Sequence, residues 1–517
     1  MKIEQVLIRF VKPQFLIKTI IVLFLLGSNF LISCGEDNDS LPVVNEGTKI
    51  TKFSFLKLNN PTIPYDLHLD ITENKITGRF PLHVDVKSLK ASIEHNGSEV
   101  FIDNNKQISG ATVTNFINII TYTVKTSTGN YENYTVDLTK FTGLPIITIN
   151  TTGGVAIDSK DDYRNGFILI DAGRNFSDLP ETAMKIRGRG NSTWWVHPKK
   201  PYQLKFNSDT KMLGMPLDKT WLFLAEYSDK TLIRNKIAFE MGYLSKLDWT
   251  PKAEYAEVII NGQYNGTYNI TQKVEVGTNR VNIGSSGYLL EIDQLDRLDP
   301  GDVYFRTNAF LVNIKAPAVA QNSTELNYIN GLVNEFETVL NSSQFKDPAI
   351  GYAKYIDVDS FIDWYLISEI TKNQDSRSFS SIYFNVIPGQ KIKMGPLWDF
   401  DLAFGNVNYS ECEFSTGFWI KENPWFKRLF EDPTFVAKVK LRFLYYRDNQ
   451  NFILSKMDLH SNYLKWAQKE NNTKWNLIGN YVWPNPVVFN TYEGEVAHLK
   501  SWYSNRMNWL YTAFNNM

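Results

Sequence analysis

The sequence predicts an α+β protein in which an all-β segment precedes a β-rich part and then a helical part. Between residues 48 and 142, short runs alternate apolar and polar side chains, as strands with one buried face do. Strand-like runs continue from residue 146 to about residue 320. Beyond 320 the apolar residues recur at helical spacing. A β-rich part followed by a helical part indicates a two-lobed layout, in which the cleft between lobes is the usual ligand site.

Length and composition narrow the possible functions. A chain of 517 residues exceeds what one hydrophobic core usually organises, so two or three domains are expected. The 54 Lys and Arg residues nearly balance the 55 Asp and Glu residues, which gives a net charge of −1. Because no global positive field exists, nucleic acid is not an expected partner.

Residues 1–33 have the pattern of an export signal, with an apolar, uncharged run over 19–33 that follows a basic start made of Lys2, Arg9, Lys12 and Lys18. The apolar run is shorter than the roughly twenty residues that span a bilayer with flanks. It ends in Leu-Ile-Ser-Cys-Gly, which resembles the lipobox of bacterial lipoproteins. That resemblance implies lipidation of Cys34 and attachment to a membrane through the lipid. The alternative is a transmembrane stub with an incidental cysteine.

Residues 34–47 form an acidic tether after that cysteine. In Gram-negative lineages a similar acidic stretch accompanies export of lipoproteins to the cell surface. We therefore expect an outer-membrane lipoprotein on the cell surface or on the periplasmic face. The other cysteine, Cys412, has no partner once Cys34 carries lipid, so neither a disulfide within the chain nor a cysteine zinc site is expected.

Residues 48–142 predict an all-β sandwich of the immunoglobulin-like kind. Alternating runs such as ITKFSFLKL and ITYTVKT are separated by Asn-Gly, Asn-Asn, Ser-Gly and Thr-Gly breakers. Turns every ten residues or so are typical of such sandwiches. The expected role of this domain is a stalk.

Residues 146–512 form the second predicted domain. Its strands are interrupted by one helical segment over 230–245, in which apolar residues recur near helical spacing. After about residue 320 the predicted helices are LNYINGLVNEFETVLN, DVDSFIDWYLISEITKN, the long run from WFKRLFED to ILSKM, and EGEVAHLKSWYSNRMNWLYTAF.

A glycine-rich, basic stretch stands out in the β-rich part. It reads KIRGRGNSTW and contains Arg187 and Arg189; KKPYQLK follows it and ends in Lys205. Glycines let a backbone approach a ligand, and guanidinium groups match phosphate or carboxylate oxygens. A β-hairpin with ordinary surface arginines would look much the same.

Acidic residues stand out in the helical part. Asp375 follows a helix with an apolar stripe, and Asp399 and Asp401 lie in GPLWDFDLAFG. Two carboxylates at i and i+2 in an extended segment point the same way, which suits a hard divalent cation. The alternative is that these aspartates cap a turn or pair with Arg187 or Arg189.

Several motifs, in this order, resemble the CotH family, the spore coat protein H type of secretory kinase: IRGRGNSTW, KKPYQLKF, WLFLAEYSDKTLIRNKIAFE, NGQYNGTYNITQKVEV, GYLLEID and GPLWDFDLAFGN. The resemblance covers roughly residues 146–512. It implies an atypical protein-kinase-like fold, use of ATP with Mg²⁺ or Mn²⁺, and phosphorylation of Ser or Thr on exported or cell-surface proteins.

Carried over by motif, the resemblance implies that Asp375 is the catalytic aspartate and that Asp399, with Asp401 as a second candidate, holds the metal. Nucleotide-binding roles are implied for Arg187, Arg189 and Lys205, with Glu240 as the partner of Lys205.

The chain departs from ordinary kinases, because it lacks the GxGxxGxV, HRDxxxxN and DFG motifs, and position 380 is Ser where those enzymes have a metal-binding Asn. A lipoprotein outside the inner membrane also meets little ATP. The alternative function is therefore a catalytically inactive surface lipoprotein that acts as a scaffold, adhesin or glycan-binding protein.

Overall fold

The computed structural model describes residues 46–517. The predicted export signal, the lipidation site at Cys34 and nearly all of the acidic tether lie outside the described residues.

The first part of the fold consists of short strands: β1 (Ile50–Phe55), β2 (Leu67–His68), β3 (Asp70–Thr72), β4 (Lys75–Phe80), β5 (Leu89–Lys90), β6 (Ser92–His95), β7 (Glu99–Ile102), β8 (Asn105–Lys106), β9 (Val113–Thr114), β10 (Ile120–Lys125) and β11 (Tyr131–Lys140). They form sheets with the orders β2-β1-β6, β3-β4-β11-β10-β7-β8 and β5-β9. Strand β11 pairs in parallel with β4 and antiparallel with β10. Their inward side chains, which include Phe53, Phe55 and Tyr122, form a separate apolar core.

The second part is a closed barrel of strands in the order β12-β13-β14-β15-β16-β18-β17. The strands are β12 (Ile146–Thr151), β13 (Arg164–Asp171), β14 (Leu179–Gly188), β15 (Tyr202–Thr210), β16 (Asp218–Leu224), β17 (Ala253–Ile260) and β18 (Gln263–Gln272). The barrel closes because β12 pairs in parallel with β17. Alternate side chains, including Ile186, Leu204 and Trp221, fill its interior.

Two helices interrupt the barrel strands: α1 (Ser192–Val196) and α2 (Arg234–Tyr243). The helix predicted over 230–245 therefore begins four residues late. Leu232 has a left-handed backbone with φ 63°, and the Asp229 carboxylate accepts hydrogen bonds from the backbone N–H groups of Thr231 (3.0 Å) and Arg234 (2.8 Å). That carboxylate holds the preceding turn and satisfies the first free N–H of α2.

The third part begins with a sheet in the order β20-β21-β19-β22-β23. Its strands are β19 (Tyr288–Asp293), β20 (Tyr304–Arg306), β21 (Leu311–Ala316), β22 (Ile382–Val386) and β23 (Lys393–Met394). The helices of this part are α3 (Thr324–Leu340), α4 (Tyr352–Tyr355), α5 (Val358–Ile370), α6 (Pro424–Leu429), α7 (Pro433–Asp448), α8 (Gln450–Tyr463), α9 (Ala467–Trp475) and α10 (Tyr492–Asn515). Helix α9 packs on the barrel strand β18.

The largest apolar core joins this sheet to the helices and to α2. Strand β19 and helix α5 contribute almost fully buried faces, since Leu289, Leu290 and Ile367 have no exposed surface. The predicted mixed α+β class with a β-rich N-terminal region is confirmed. Among residues 46–517, none of the helices combines the length and the hydropathy needed to cross a bilayer.

Candidate active site

A cleft of about 310 Å³ lies between the barrel and the sheet-and-helix part. One wall comes from the end of β14 and the loop into α1, which carry Arg187 and Arg189. The opposite wall carries Asp375, Asp399 and Asp401. Five of the predicted site residues therefore share one cleft. Other lining residues are Glu226, Tyr227, Asn235, Glu291, Asp293, Arg297, Lys315, Ser380, Ser381, Trp398 and Trp483.

Asp375 begins a single 3₁₀ turn, Asp375–Arg377, that follows α5. Side chains fix this turn on both sides: the Trp419 Nε1 donates to the Gln374 carbonyl at 3.0 Å, and the Asn423 Nδ2 donates to the Arg377 carbonyl at 2.6 Å. Burial raises the pKa of the Asp375 carboxyl to about 7, and repulsion from Asp399 adds to the shift.

Asp399 has a left-handed backbone with φ 64°, so the segment that carries both metal candidates is not the extended strand expected from the sequence. The Asn373 Nδ2 donates to the Asp399 carbonyl at 2.9 Å, and the Ser381 hydroxyl donates to its Oδ2 at 3.3 Å. Glu226 and Ser381, which also line the cleft, have positive φ as well. Such strained residues persist where surrounding contacts enforce them, and they cluster at functional sites.

Asp401 lies two residues beyond Asp399 in the same wall of the cleft. Burial raises the pKa of its carboxyl far above the usual range, and repulsion from Asp399, Glu226 and Asp375 acts in the same direction. The expected alternative, in which the aspartates pair with Arg187 or Arg189, is not found: no ion pair within residues 46–517 includes Asp375, Asp399 or Asp401.

Glu226 is a cleft residue that sequence reasoning missed. It accepts hydrogen bonds from the Nδ2 of Asn235 (3.2 Å) and the Nδ2 of Asn269 (3.0 Å), while burial raises the pKa of its carboxyl to about 8. The Oδ1 of Asn235 accepts from the Phe400 N–H at 2.7 Å and so ties α2 to the segment between the two metal candidates. The only indication of this residue in the sequence is the polar run EYSDK. In the structure that run is buried almost throughout despite its charges.

The arginines of the opposite wall have few partners within the protein. The Arg187 guanidinium donates to the Lys160 carbonyl at 2.6 Å and lies over the Tyr163 ring. The Arg189 guanidinium lies 5.8 Å from the centre of the Trp398 ring. Both keep N–H groups for an anionic ligand.

Two positions in this wall require glycine for different reasons. A Cβ on Gly188 would lie 2.4 Å from the Trp194 ring, so packing explains this glycine, not the approach of a ligand. Gly190 has φ 85°, which an L side chain rarely adopts.

Two predicted nucleotide-binding residues do not line the cleft. Lys205 lies on the outer face of the barrel, opposite Lys185 and one pleat beyond Gln203, and it is exposed. Glu240 bonds to the Lys456 Nζ at 3.2 Å and the His460 Nε2 at 2.9 Å. The Lys205–Glu240 pair is therefore wrong, because the two side chains leave their elements on different parts of the molecule.

The donor set suits a hard cation such as Mg²⁺. Such ions take carboxylate oxygens and keep several waters, and the cleft offers half-buried carboxylates whose repulsion a cation would relieve. Within residues 46–517, no three His, Cys, Asp or Glu side chains form a ready-made metal cage. A cation here would complete its shell with water or with oxygens of a ligand.

A family model described as CotH kinase protein matches residues 186–510. The inner spore coat protein H of Bacillus subtilis (strain 168) is 27% identical over 203 residues, which are 36% of this chain and 50% of that protein. The chain thus aligns with about half the length of this curated relative.

A crystal structure of a protein provisionally assigned as a glycoside hydrolase, from Bacteroides thetaiotaomicron, is 14% identical and covers 56% of this chain and 87% of its own. Its TM-score of 0.16 is too low to support any argument. The family match covers most of the chain and includes both walls of the cleft, so the chain belongs to the CotH family.

Proposed function

We propose that this protein is a CotH-type kinase that transfers the γ-phosphoryl group of ATP to Ser or Thr hydroxyls of exported or cell-surface proteins. One observation carries the proposal: three acidic side chains from two separate chain segments face one cleft without a salt-bridge partner among residues 46–517, and arginines line the other wall. Phosphoryl transfer needs positioned oxygens, a cation across the phosphates and a carboxylate at the nucleophile, and little else.

Asp375 orients the acceptor hydroxyl and takes its proton as the oxygen attacks the γ-phosphorus. The bond from that phosphorus to the β-phosphate oxygen breaks, and ADP leaves with the electron pair. A carboxyl whose pKa is raised to about 7 by burial suits a proton acceptor near neutral pH.

Asp399 and Asp401 are the residues that would hold Mg²⁺ or Mn²⁺, which when bound neutralises charge on the phosphate oxygens. Arg187 and Arg189 bind the phosphates from the facing wall. Lys315, in the same cleft and 3.5 Å from the Glu291 carboxylate, is a further cation close to the phosphates.

We also propose that the barrel and the sheet-and-helix part are the two lobes of an atypical protein-kinase-like fold. The cleft lies between them, and strand β19 borders it through Glu291 and Asp293. The family match over residues 186–510 supports this assignment, since it begins in the barrel and ends in α10.

Membrane attachment through Cys34 is a separate proposal, supported by the lipobox-like sequence alone. It is tested by Cys34→Ser, which should leave an unprocessed or soluble protein. Normal attachment of that variant to the membrane fraction would contradict it.

The kinase proposal is tested with the full chain, purified in detergent and incubated with γ-labelled ATP and Mg²⁺ or Mn²⁺. Label should appear on the protein or on a generic acceptor, and Asp375→Asn should abolish it. The matched control is Asp209→Asn, an exposed aspartate on the barrel away from the cleft. Nucleotide-dependent stabilisation without transfer would indicate a protein that only binds nucleotide, and neither effect would favour the scaffold alternative.

A further inference from the structure

A second, shallower pocket of about 490 Å³ opens beside the cleft. Asp293 lines both cavities, so the two adjoin at this residue. Its lining residues are Ile292, Asp293, Gln294, Leu295, Arg306, Ala309, Phe310, Leu311, Arg377, Ser378, Glu422 and Pro424. None of the roles proposed for the kinase reaction uses this pocket, whose lining combines apolar side chains with basic, acidic and neutral polar ones.

Two arginines distinguish the pocket. Neither Arg306 nor Arg377 forms an ion pair or a side-chain hydrogen bond within residues 46–517, whereas Arg428 and Arg442 each pair with a carboxylate. The Arg377 guanidinium lies 4.6 Å from the centre of the Trp419 ring, which limits its motion. Arg306 ends the edge strand β20 and is exposed.

The pocket also contains two acidic groups, and both have other cations nearby. The Glu422 carboxylate lies 3.5 Å from the Lys427 Nζ. Asp293 is close to Arg297 and Lys315, which line the first cleft and attract its carboxylate from that side. The guanidinium groups of Arg306 and Arg377 therefore remain as donors for an anionic group from outside the chain.

The position of Arg377 relates the pocket to the acceptor site. Asp375 and Arg377 share one 3₁₀ turn, so the pocket adjoins the carboxylate that takes the acceptor proton. An extended peptide advances roughly 3.3 Å per residue. A side chain in this pocket would thus belong to a residue near the phosphorylated Ser or Thr in the acceptor sequence.

We propose that this pocket binds an acidic side chain of the acceptor polypeptide and so makes the enzyme prefer Ser or Thr with Glu or Asp nearby. Its carboxylate accepts hydrogen bonds from Arg306 and Arg377, and its aliphatic stem packs on Leu311 and Phe310. This inference rests on the proposed kinase function for its consequence in catalysis, but the binding itself does not depend on phosphoryl transfer.

The test uses two synthetic peptides that differ only in whether Glu or Lys flanks a single serine. The full-chain protein should phosphorylate the Glu peptide with a kcat/KM roughly tenfold higher, mostly through KM, since a charge-assisted pair is worth about that factor. Arg306→Ala and Arg377→Ala should each remove most of that preference. Arg306→Lys should restore part of it, and Arg306→Glu should shift the preference towards the Lys peptide. Exposed Lys391→Ala is the control that should change nothing.

Binding of the fluorescent Glu peptide to Asp375→Asn separates this inference from the kinase proposal. If no acceptor is ever labelled but the peptide binds and Arg306→Ala weakens binding, the kinase proposal fails and the pocket stands. If transfer occurs but is equal for both peptides, or is unchanged in both arginine variants, the pocket proposal is overturned. Arg306→Ala remains decisive even if Arg377→Ala fails to fold, because Arg306 is exposed on an edge strand.

Discussion

Two buried acidic sites in this protein differ in how their charges are satisfied. Glu257 on β17 is fully buried, and it accepts hydrogen bonds from the hydroxyls of Tyr264 (2.6 Å), Thr142 (2.7 Å) and Thr267 (3.2 Å). The Lys199 ammonium also attracts it. The cleft aspartates have raised pKa values too, but no comparable set of donors. The first arrangement stabilises the fold, and the second retains unrelieved repulsion, as expected where a ligand completes the site.

Asp375→Asn provides the largest expected effect. If Asp375 takes the acceptor proton, its loss should lower kcat by about 10³-fold, since general-base groups contribute roughly that factor. Stability should not fall, because the change removes a half-buried carboxylate that Asp399 repels and that forms no ion pair within residues 46–517. Phosphate transfer and thermal unfolding of the same preparations measure both. A drop in the unfolding midpoint that matched the loss of activity would assign Asp375 a structural role.

Glu257→Ala should have the opposite effect, in that it should lower stability and leave phosphate transfer unchanged. It would leave the hydroxyls of Thr142, Tyr264 and Thr267 without their shared acceptor and the buried Lys199 ammonium without one of the carboxylates that attract it, at a cost of about 3 kcal/mol. Transfer by the remaining folded protein should be unchanged, because Glu257 does not line the cleft. Urea unfolding gives the cost, and a loss below about 0.5 kcal/mol, typical of surface positions, would contradict the comparison.

The same residue gives a pH dependence. Burial raises the pKa of Glu257 to about 7, so its contribution to stability is fully present below its unfolded pKa and is lost as the pH rises through 7. Glu257→Gln removes this titration. The wild type should therefore exceed the variant in stability by more at pH 5 than at pH 8, as followed by unfolding across that range. An equal difference at both pH values would show that Glu257 does not titrate there.

Stabilisation by ATP with Mg²⁺ should depend on the cleft aspartates and not on Glu257. ATP with Mg²⁺ at about one hundred times its Kd should stabilise the folded protein by about 2.7 kcal/mol, seen as a higher unfolding midpoint. Asp401→Asn should remove most of this gain, whereas Glu257→Gln should retain it. The reverse pattern would place the ligand away from the aspartates.

The sequence allowed some features to be predicted because they are local. Alternation of side chains predicted the strands, and helical spacing predicted α3, α5 and α10 with shifted ends, whereas the predicted helical run over 425–457 is divided into α6, α7 and the start of α8. The acidic motifs indicated Asp375, Asp399 and Asp401, which do line one cleft. Whether these residues bind nucleotide and metal stays a prediction.

Other features depend on distant contacts that no local pattern contains. Closure of the barrel rests on pairing between β12 and β17, more than a hundred residues apart. The family resemblance implied a nucleotide-binding role for Lys205, yet the register of β15 places this residue on the outer face beyond the cleft. Glu226 was missed because a buried charged run looks like a surface loop until its amide partners on α2 and β18 are known.

The smallest expected effect concerns Arg79, a partly exposed residue where the N-terminal strands contact the start of α9. Arg79 on β4 lies 4.2 Å from the centre of the Trp466 ring, donates to the Phe141 carbonyl at 3.4 Å, and lies 3.7 Å from the Glu470 carboxylate. It thus joins the N-terminal strands to the start of α9. The side chain is about one-third exposed, so water weakens its ion pair, and the cation–π contact is its main contribution.

Arg79→Ala should therefore cost about 1 kcal/mol in urea unfolding and leave phosphate transfer unchanged. Arg79→Lys should keep part of that stability, because an ammonium still attracts the ring face but lacks the planar stacking of a guanidinium. Lys75→Ala, exposed on the same strand, is the matched control. If Arg79→Ala cost as much as Glu257→Ala, a partly exposed cation–π contact would contribute as much as the buried, hydrogen-bonded carboxylate, and water would not weaken the interactions of Arg79.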